Sequence, residues 1–119
     1  MTLLASLSVA IVGMLHLGFA ILEAFLWTTP TGRKIFRQSE KDAETTRVLA
    51  MNQGLYNGFL ALGLFWSLLA PQAMAESLQL FFLGCVTVAG VVGALTASPR
   101  IFFVQAVPAI VSILLVLSA

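Results

Sequence analysis

A chain of 119 residues suits one domain, but 60% hydrophobic against 9% charged residues, at a mean hydropathy of +1.02, leaves little room for a water-soluble fold. A small domain has too much exterior to hide that much apolar surface from water. The net charge of +1 offers no field for capturing nucleic acid, and the lone Cys85, set in an apolar run, excludes an intramolecular disulfide and reads as a small packed hydrophobe.

The first apolar stretch, at about 2–27, meets the roughly 20 residues that an α-helix needs to cross a hydrocarbon core. It lacks a basic leader and runs on without a small-residue cleavage pattern, so it reads as a retained span rather than an export signal. The long connection at 28–47 follows. Within it, Thr28-Thr29-Pro30-Thr31-Gly32 reads as a helix-ending turn, since proline cannot continue a helix and glycine supplies unusual backbone angles. Ile35 and Phe36, flanked by basic residues, read as lying along the headgroup surface. Ser39-Glu40-Lys41-Asp42 has the S-x-x-D form of a capping box, which predicts a second helix that begins near Ser39 and runs on into the membrane. Further apolar stretches at about 48–70, 78–97 and 101–118 complete the expectation: an all-α, polytopic membrane protein, with residues 1–119 forming a single four-transmembrane-helix bundle.

Charge sets the expected orientation. Arg33, Lys34, Arg37, Lys41 and Arg47 lie in loop 28–47, the sixth basic residue, Arg100, closes the turn at 98–100, and the turn at 71–77 carries only Glu76. The positive-inside rule places both basic loops in the cytoplasm, with the two termini and the second loop outside the cytoplasmic (inner) membrane.

Ionisable and amide side chains inside a membrane are costly, and they are the first candidates for function. The first span holds His16 and Glu23, the second opens with Asn52-Gln53-Gly54-Leu55-Tyr56-Asn57-Gly58, and the fourth holds Gln105 and Pro108. Counting helical rise inward from Trp27, Arg47 and Arg100 puts Glu23, Asn52, Gln53 and Gln105 near one level, roughly 6–9 Å inside the cytoplasmic interface. Tyr56 and Asn57 come one turn deeper, and His16 reaches toward the bilayer middle. His16 and Glu23, seven residues apart, share a helix face but are separated by roughly 10 Å along it, a gap that Tyr56, Asn57 or water could bridge. Gly54 and Gly58 form a G-x-x-x-G that lets another helix approach, and Gly90/Ala94 and Gly93/Ala97 give the third span similar ridges, suited to packing within the bundle or to a homo-oligomer. Each residue also has a plainer role. Glu23 could pair with Arg33 or Lys34, the amides could join helices, and Gln105 could satisfy a carbonyl freed by Pro108.

Several of these motifs are specific. His16, Glu23, the Phe25-Leu26-Trp27-Thr28-Thr29-Pro30-Thr31-Gly32-Arg33-Lys34 stretch and Asn52-Gln53-Gly54-Leu55-Tyr56-Asn57-Gly58-Phe59-Leu60-Ala61 resemble the bacterial domain-of-unknown-function family 1304. The resemblance covers essentially the whole chain and implies small four-span membrane proteins; it brings no established activity.

The residues point to a pocket open toward the cytoplasmic leaflet that binds a small, partly apolar or lipid-like molecule. Glu23 and His16 would supply charge or proton transfer there, as in moving a proton between two carbons, while Asn52, Gln53, Tyr56, Asn57 and Gln105 orient the ligand. Two alternatives stay open: a small proton-coupled exporter exchanging protons at Glu23, and a structural or assembly subunit of a membrane complex. No metal site is expected, because only His16, Glu23 and Cys85 could offer ligands within the spans, and no cofactor fingerprint is present. The expected partners are membrane lipid and a lipid-like ligand, with no nucleic acid.

Overall fold

The computed structural model describes all 119 residues and is all-α. In chain order it contains α1 (Leu3–Phe25), α2 (Pro30–Ile35), α3 (Glu40–Thr45), α4 (Arg47–Leu69), α5 (Gln72–Thr96), a π-helical turn (Phe102–Ala106) and α6 (Val107–Leu117). The chain divides into two compact units: unit 1 comprises Met1–Met14 with Leu60–Ala119, and unit 2 comprises Leu15–Phe59. Both boundaries fall inside helices, α1 and α4.

Two helices, α1 and α5, are long and apolar enough to cross a membrane, where the sequence predicts four. The difference has a physical origin in each remaining case. Helix α4 has the length, but Asn52, Gln53 and Asn57 lower its mean hydropathy. The fourth apolar stretch, Phe102–Leu117, is short and is interrupted by the π-turn.

Unit 1 has an apolar core. Ala5, Val9 and Val12 of α1, spaced to share one helix face, pack with Leu64 of α4, Leu83 and Val86 of α5, and Ala109 and Val116 of α6. Its buried hydroxyls are satisfied: Ser8 and Ser112 share a hydrogen bond of 2.8 Å, and Ser67 donates to the Leu64 carbonyl. A Cβ on Gly90 would lie 2.6 Å from the Ala106 backbone nitrogen, so the small residues of α5 bring in the last helical segment at backbone distance. The π-turn is explained by Pro108, which has no N–H for the carbonyl four residues back and whose ring crowds it. The backbone widens instead, with the Val107 N–H donating to the Phe102 carbonyl.

Unit 2 is built from turns and caps. After α1 the chain reverses over 26–29, where Thr29 Oγ1 donates to the Leu26 carbonyl at 2.6 Å and accepts the Gly32 N–H at 3.2 Å. Thr29 is thus the N-cap of α2 and Pro30 its first residue, so the proline opens a helix as well as preventing the previous one from continuing. Gly32 is needed for space, not for an unusual φ: no glycine has positive φ, and a Cβ here would sit 1.9 Å from the Leu26 carbonyl oxygen. Helix α2 ends in a Schellman turn, with Gln38 N–H donating to Arg33 and Arg37 N–H to Lys34, and Arg37 occupying the left-handed region at φ 54°. Ser39 Oγ accepts the Asp42 N–H at 3.1 Å, so the expected cap is present. The helix it starts does not run on, however. It breaks at Thr46, whose hydroxyl donates to the Asp42 carbonyl and accepts the Trp27 indole N–H at 3.0 Å. The Trp27 ring packs on Phe36 with centroids 4.7 Å apart, which turns Phe36 into the unit and leaves Ile35 exposed.

Candidate functional site: a carboxyl–amide pair between α1 and α4

The two long helices of unit 2 meet where both carry small residues. A Cβ on Gly54 would fall 3.0 Å from the Ala20 carbonyl oxygen and from the Ala24 nitrogen, and 3.1 Å from Glu23 Cβ. Gly58, one turn on, lies over Ala20 with more room, 3.9 Å for the same test. The G-x-x-x-G of α4 therefore rests on an Ala20-x-x-x-Ala24 ridge of α1, an arrangement in which backbones rather than side chains set the spacing.

That close approach brings Asn57 to Glu23, and Asn57 Nδ2 donates a hydrogen bond to Glu23 Oε1. Asn57 is 4% exposed, whereas Glu23 is half-buried and takes no other hydrogen bond from the chain. A carboxyl held by one oxygen on an amide, with its other oxygen uncommitted, can accept a hydrogen bond from a ligand or exchange a proton with it. The ion pair considered for Glu23 does not form; the salt bridge in the structure joins Arg47 to Glu44 at 3.3 Å.

The remaining sequence candidates are dispersed. His16 is fully buried on α1, two turns from Glu23, with its ring edge-on to Phe19 at 5.2 Å. The inward stripe of α4 is Ala50, Gly54, Asn57 and Ala61, at helical spacing, which leaves Asn52, Gln53 and Tyr56 on its exposed faces. Tyr56 is 57% exposed, its ring 6.3 Å from that of Phe59. Gln105 belongs to unit 1, where it is half-buried within the π-turn. The structure thus joins Glu23 with Asn57 and leaves Asn52, Gln53 and Tyr56 pointing away from that pair.

Three features escaped the sequence reading. Ala20 and Ala24 form a small-residue ridge whose four-residue spacing is visible in the sequence once a facing G-x-x-x-G is sought. Thr46 carries no such signal, since only folding of the 28–47 segment delivers its hydroxyl to Trp27. Arg33 is a third: its Nε is buried and makes no hydrogen bond within the chain.

The family described as "Protein of unknown function (DUF1304)" matches residues 10–117, and the chain belongs to it. The chain is also similar to "Uncharacterized protein YpaA" of Lactococcus lactis subsp. lactis (strain IL1403), 28% identical over 116 residues that cover 96% of this chain and 97% of that protein. No solved structure matches.

Proposed function

Membership of a family without an assigned activity leaves the chemistry to be argued from the site, and we propose that the chain is an integral membrane protein that binds a small, partly apolar or lipid-like molecule beside the Glu23–Asn57 pair. Four helical passages through the bilayer, with loop 28–47 in the cytoplasm, fit the charge bias and the surface of the helices. Helix α1 exposes Leu4, Leu7, Ile11, Met14, Ile21 and Phe25, an outward apolar row that lipid would cover at no cost. In this reading α4 crosses as well, with Asn57 kept from lipid by its bond to Glu23.

The observation that carries the proposal is that bond, made at the point where Gly54 brings the helices to backbone contact. A pair serving only as helix glue would satisfy both partners. Here a carboxyl oxygen remains for a ligand, beside the alanines and glycine of the helix contact. Glu23 acts as the charge partner or proton acceptor and Asn57 fixes its orientation.

Native mass spectrometry with lipidomics on protein purified in mild detergent tests this. A defined molecule retained by the wild type should fall at least about tenfold in Glu23→Gln and in Asn57→Leu, the loss expected for one hydrogen bond to a charged group. Identical bulk lipids on all three forms would overturn the binding reading. Substrate-driven proton movement in vesicles, abolished by Glu23→Gln, would replace it with the exporter.

A further inference from the structure

Unit 1 contains a second polar site, unrelated to Glu23. Gln72, Glu76 and Gln79 fall at i, i+4 and i+7 on one face of α5, along its first two turns. Together with Val116 at the end of α6, and with Met1 and Ala119 at the rim, they line a cavity of about 150 Å³. Gln79 is fully buried in its wall, and neither its Nε2 nor its Oε1 makes a hydrogen bond within the chain. A buried carboxamide with both ends unbonded carries a desolvation penalty unless something in the cavity satisfies it. It needs two complementary partners, an acceptor for Nε2 and a donor for Oε1.

Charge decides what kind of donor. Glu76, one turn away, is the acidic side chain of this end of the unit, no lysine or arginine lines the cavity, and the formal charges of the Met1 ammonium and the Ala119 carboxylate at its rim offset each other. The N-terminal dipole of α5 disfavours a cation, the C-terminal dipole of α6 favours one, and the two offset each other. The Glu76 carboxylate is left as the deciding field.

We infer that this cavity binds a small primary ammonium with a neighbouring oxygen, an amino alcohol of the 2-aminoethanol kind, either free or as the headgroup of a phospholipid. Its ammonium donates to the Gln79 Oε1 and to the Glu76 carboxylate, and its oxygen accepts from the Gln79 Nε2. A quaternary ammonium has no N–H to give and binds less well.

The test is native mass spectrometry of the full chain in mild detergent with equimolar phosphatidylethanolamine and phosphatidylcholine, repeated with free ethanolamine added. The wild type should retain phosphatidylethanolamine over phosphatidylcholine by about tenfold, the worth of one charge-assisted hydrogen bond, and Gln79→Leu and Glu76→Gln should each bring that ratio to near parity. Displacement of the lipid by ethanolamine would identify a site open to the soluble amine; failure to displace it would identify a headgroup site. Gln79→Leu also removes an unbonded buried amide, so without ligand it should melt no lower than the wild type. Parity in the wild type with no ethanolamine bound, a preference that survives both substitutions, or a lower melting temperature for Gln79→Leu would each overturn the inference.

Discussion

In unit 1 valines and leucines from α1, α4, α5 and α6 interdigitate around a common core, whereas in unit 2 α1 and α4 meet through glycine and alanine, with hydrogen bonds supplying the specific contacts. The difference teaches how each part fails. A side-chain core is damaged by removing atoms, because a cavity is left behind. A backbone-contact interface is damaged by adding them, because nothing on either side can move away. Unit 2 also holds the ionisable group with a free oxygen, so a glycine–alanine contact is what positions the chemistry.

The strongest challenge to this contrast is a single methyl group at Gly32. Its Cβ would stand 1.9 Å from the Leu26 carbonyl oxygen, the atom that accepts the Thr29 hydroxyl. Gly32→Ala should cost about 3–5 kcal/mol, in the tail of single-substitution effects, and dismantle the Trp27–Thr46 contact with it. Thermal unfolding in detergent followed by circular dichroism would read the loss, and a blue-to-red shift of Trp27 emission would report the freed indole. An alanine tolerated at this position would mean that the 26–32 turn is not rigid.

The matching experiment in unit 1 removes atoms. Leu64 is fully buried among the core side chains, and Leu64→Ala should cost about 2–4 kcal/mol by the same unfolding measurement. In unit 2 the opposite change is the informative one. Gly54→Ala, with backbone atoms at 3.0 Å, should cost about 1–3 kcal/mol and push Glu23 away from Asn57. Gly58→Ala, at 3.9 Å, should change stability by under about 0.5 kcal/mol or raise it slightly through helix propensity. Equal effects at the two glycines would erase the distinction, since they share a helix, a spacing and a facing residue and differ only in clearance.

Local signals in the sequence were readable where the physics is local. Ser39 as a cap, the apolar stretches as helices and the G-x-x-x-G as a contact all follow from near neighbours or from one helix face. The site was half legible. Glu23 and Asn57 stand out as polar residues in apolar surroundings, but their pairing required knowing that α4 turns Gly54 toward Ala20 and Ala24. That rotation places Asn57 inward and leaves Asn52, Gln53 and Tyr56 outward, although all four sit in the same short motif. Composition fixes how polar a run is, while a helix shows only one side of it to a neighbour, and the facing residues choose which. Gln79 shows the converse: with Gln72 and Glu76 it stands near the start of an apolar helix without forming a recognisable motif, and its burial with both amide atoms unbonded emerges only from packing.

The smallest expected effect has the opposite sign and refines the account of unit 2. Arg37 is the one non-glycine residue with positive φ, at 54°, in the Schellman position that glycine ordinarily fills. Holding an L side chain there costs about 1 kcal/mol, so Arg37→Gly should raise stability by about that amount, a few degrees in melting temperature. Arg37→Ala keeps the strain while removing the charge, and should leave stability within about 0.5 kcal/mol of the wild type, as for a surface substitution. Both variants should bind anionic vesicles less well than the wild type through the loss of one basic group from loop 28–47, by about 1 kcal/mol. A gain in stability together with weaker vesicle binding in Arg37→Gly would show that the turn accepts strain in order to place a cation at the proposed cytoplasmic surface. No gain would mean that the Arg37 side chain makes contacts that offset its backbone, and the polar stitching of unit 2 would then extend across the whole α2–α3 junction.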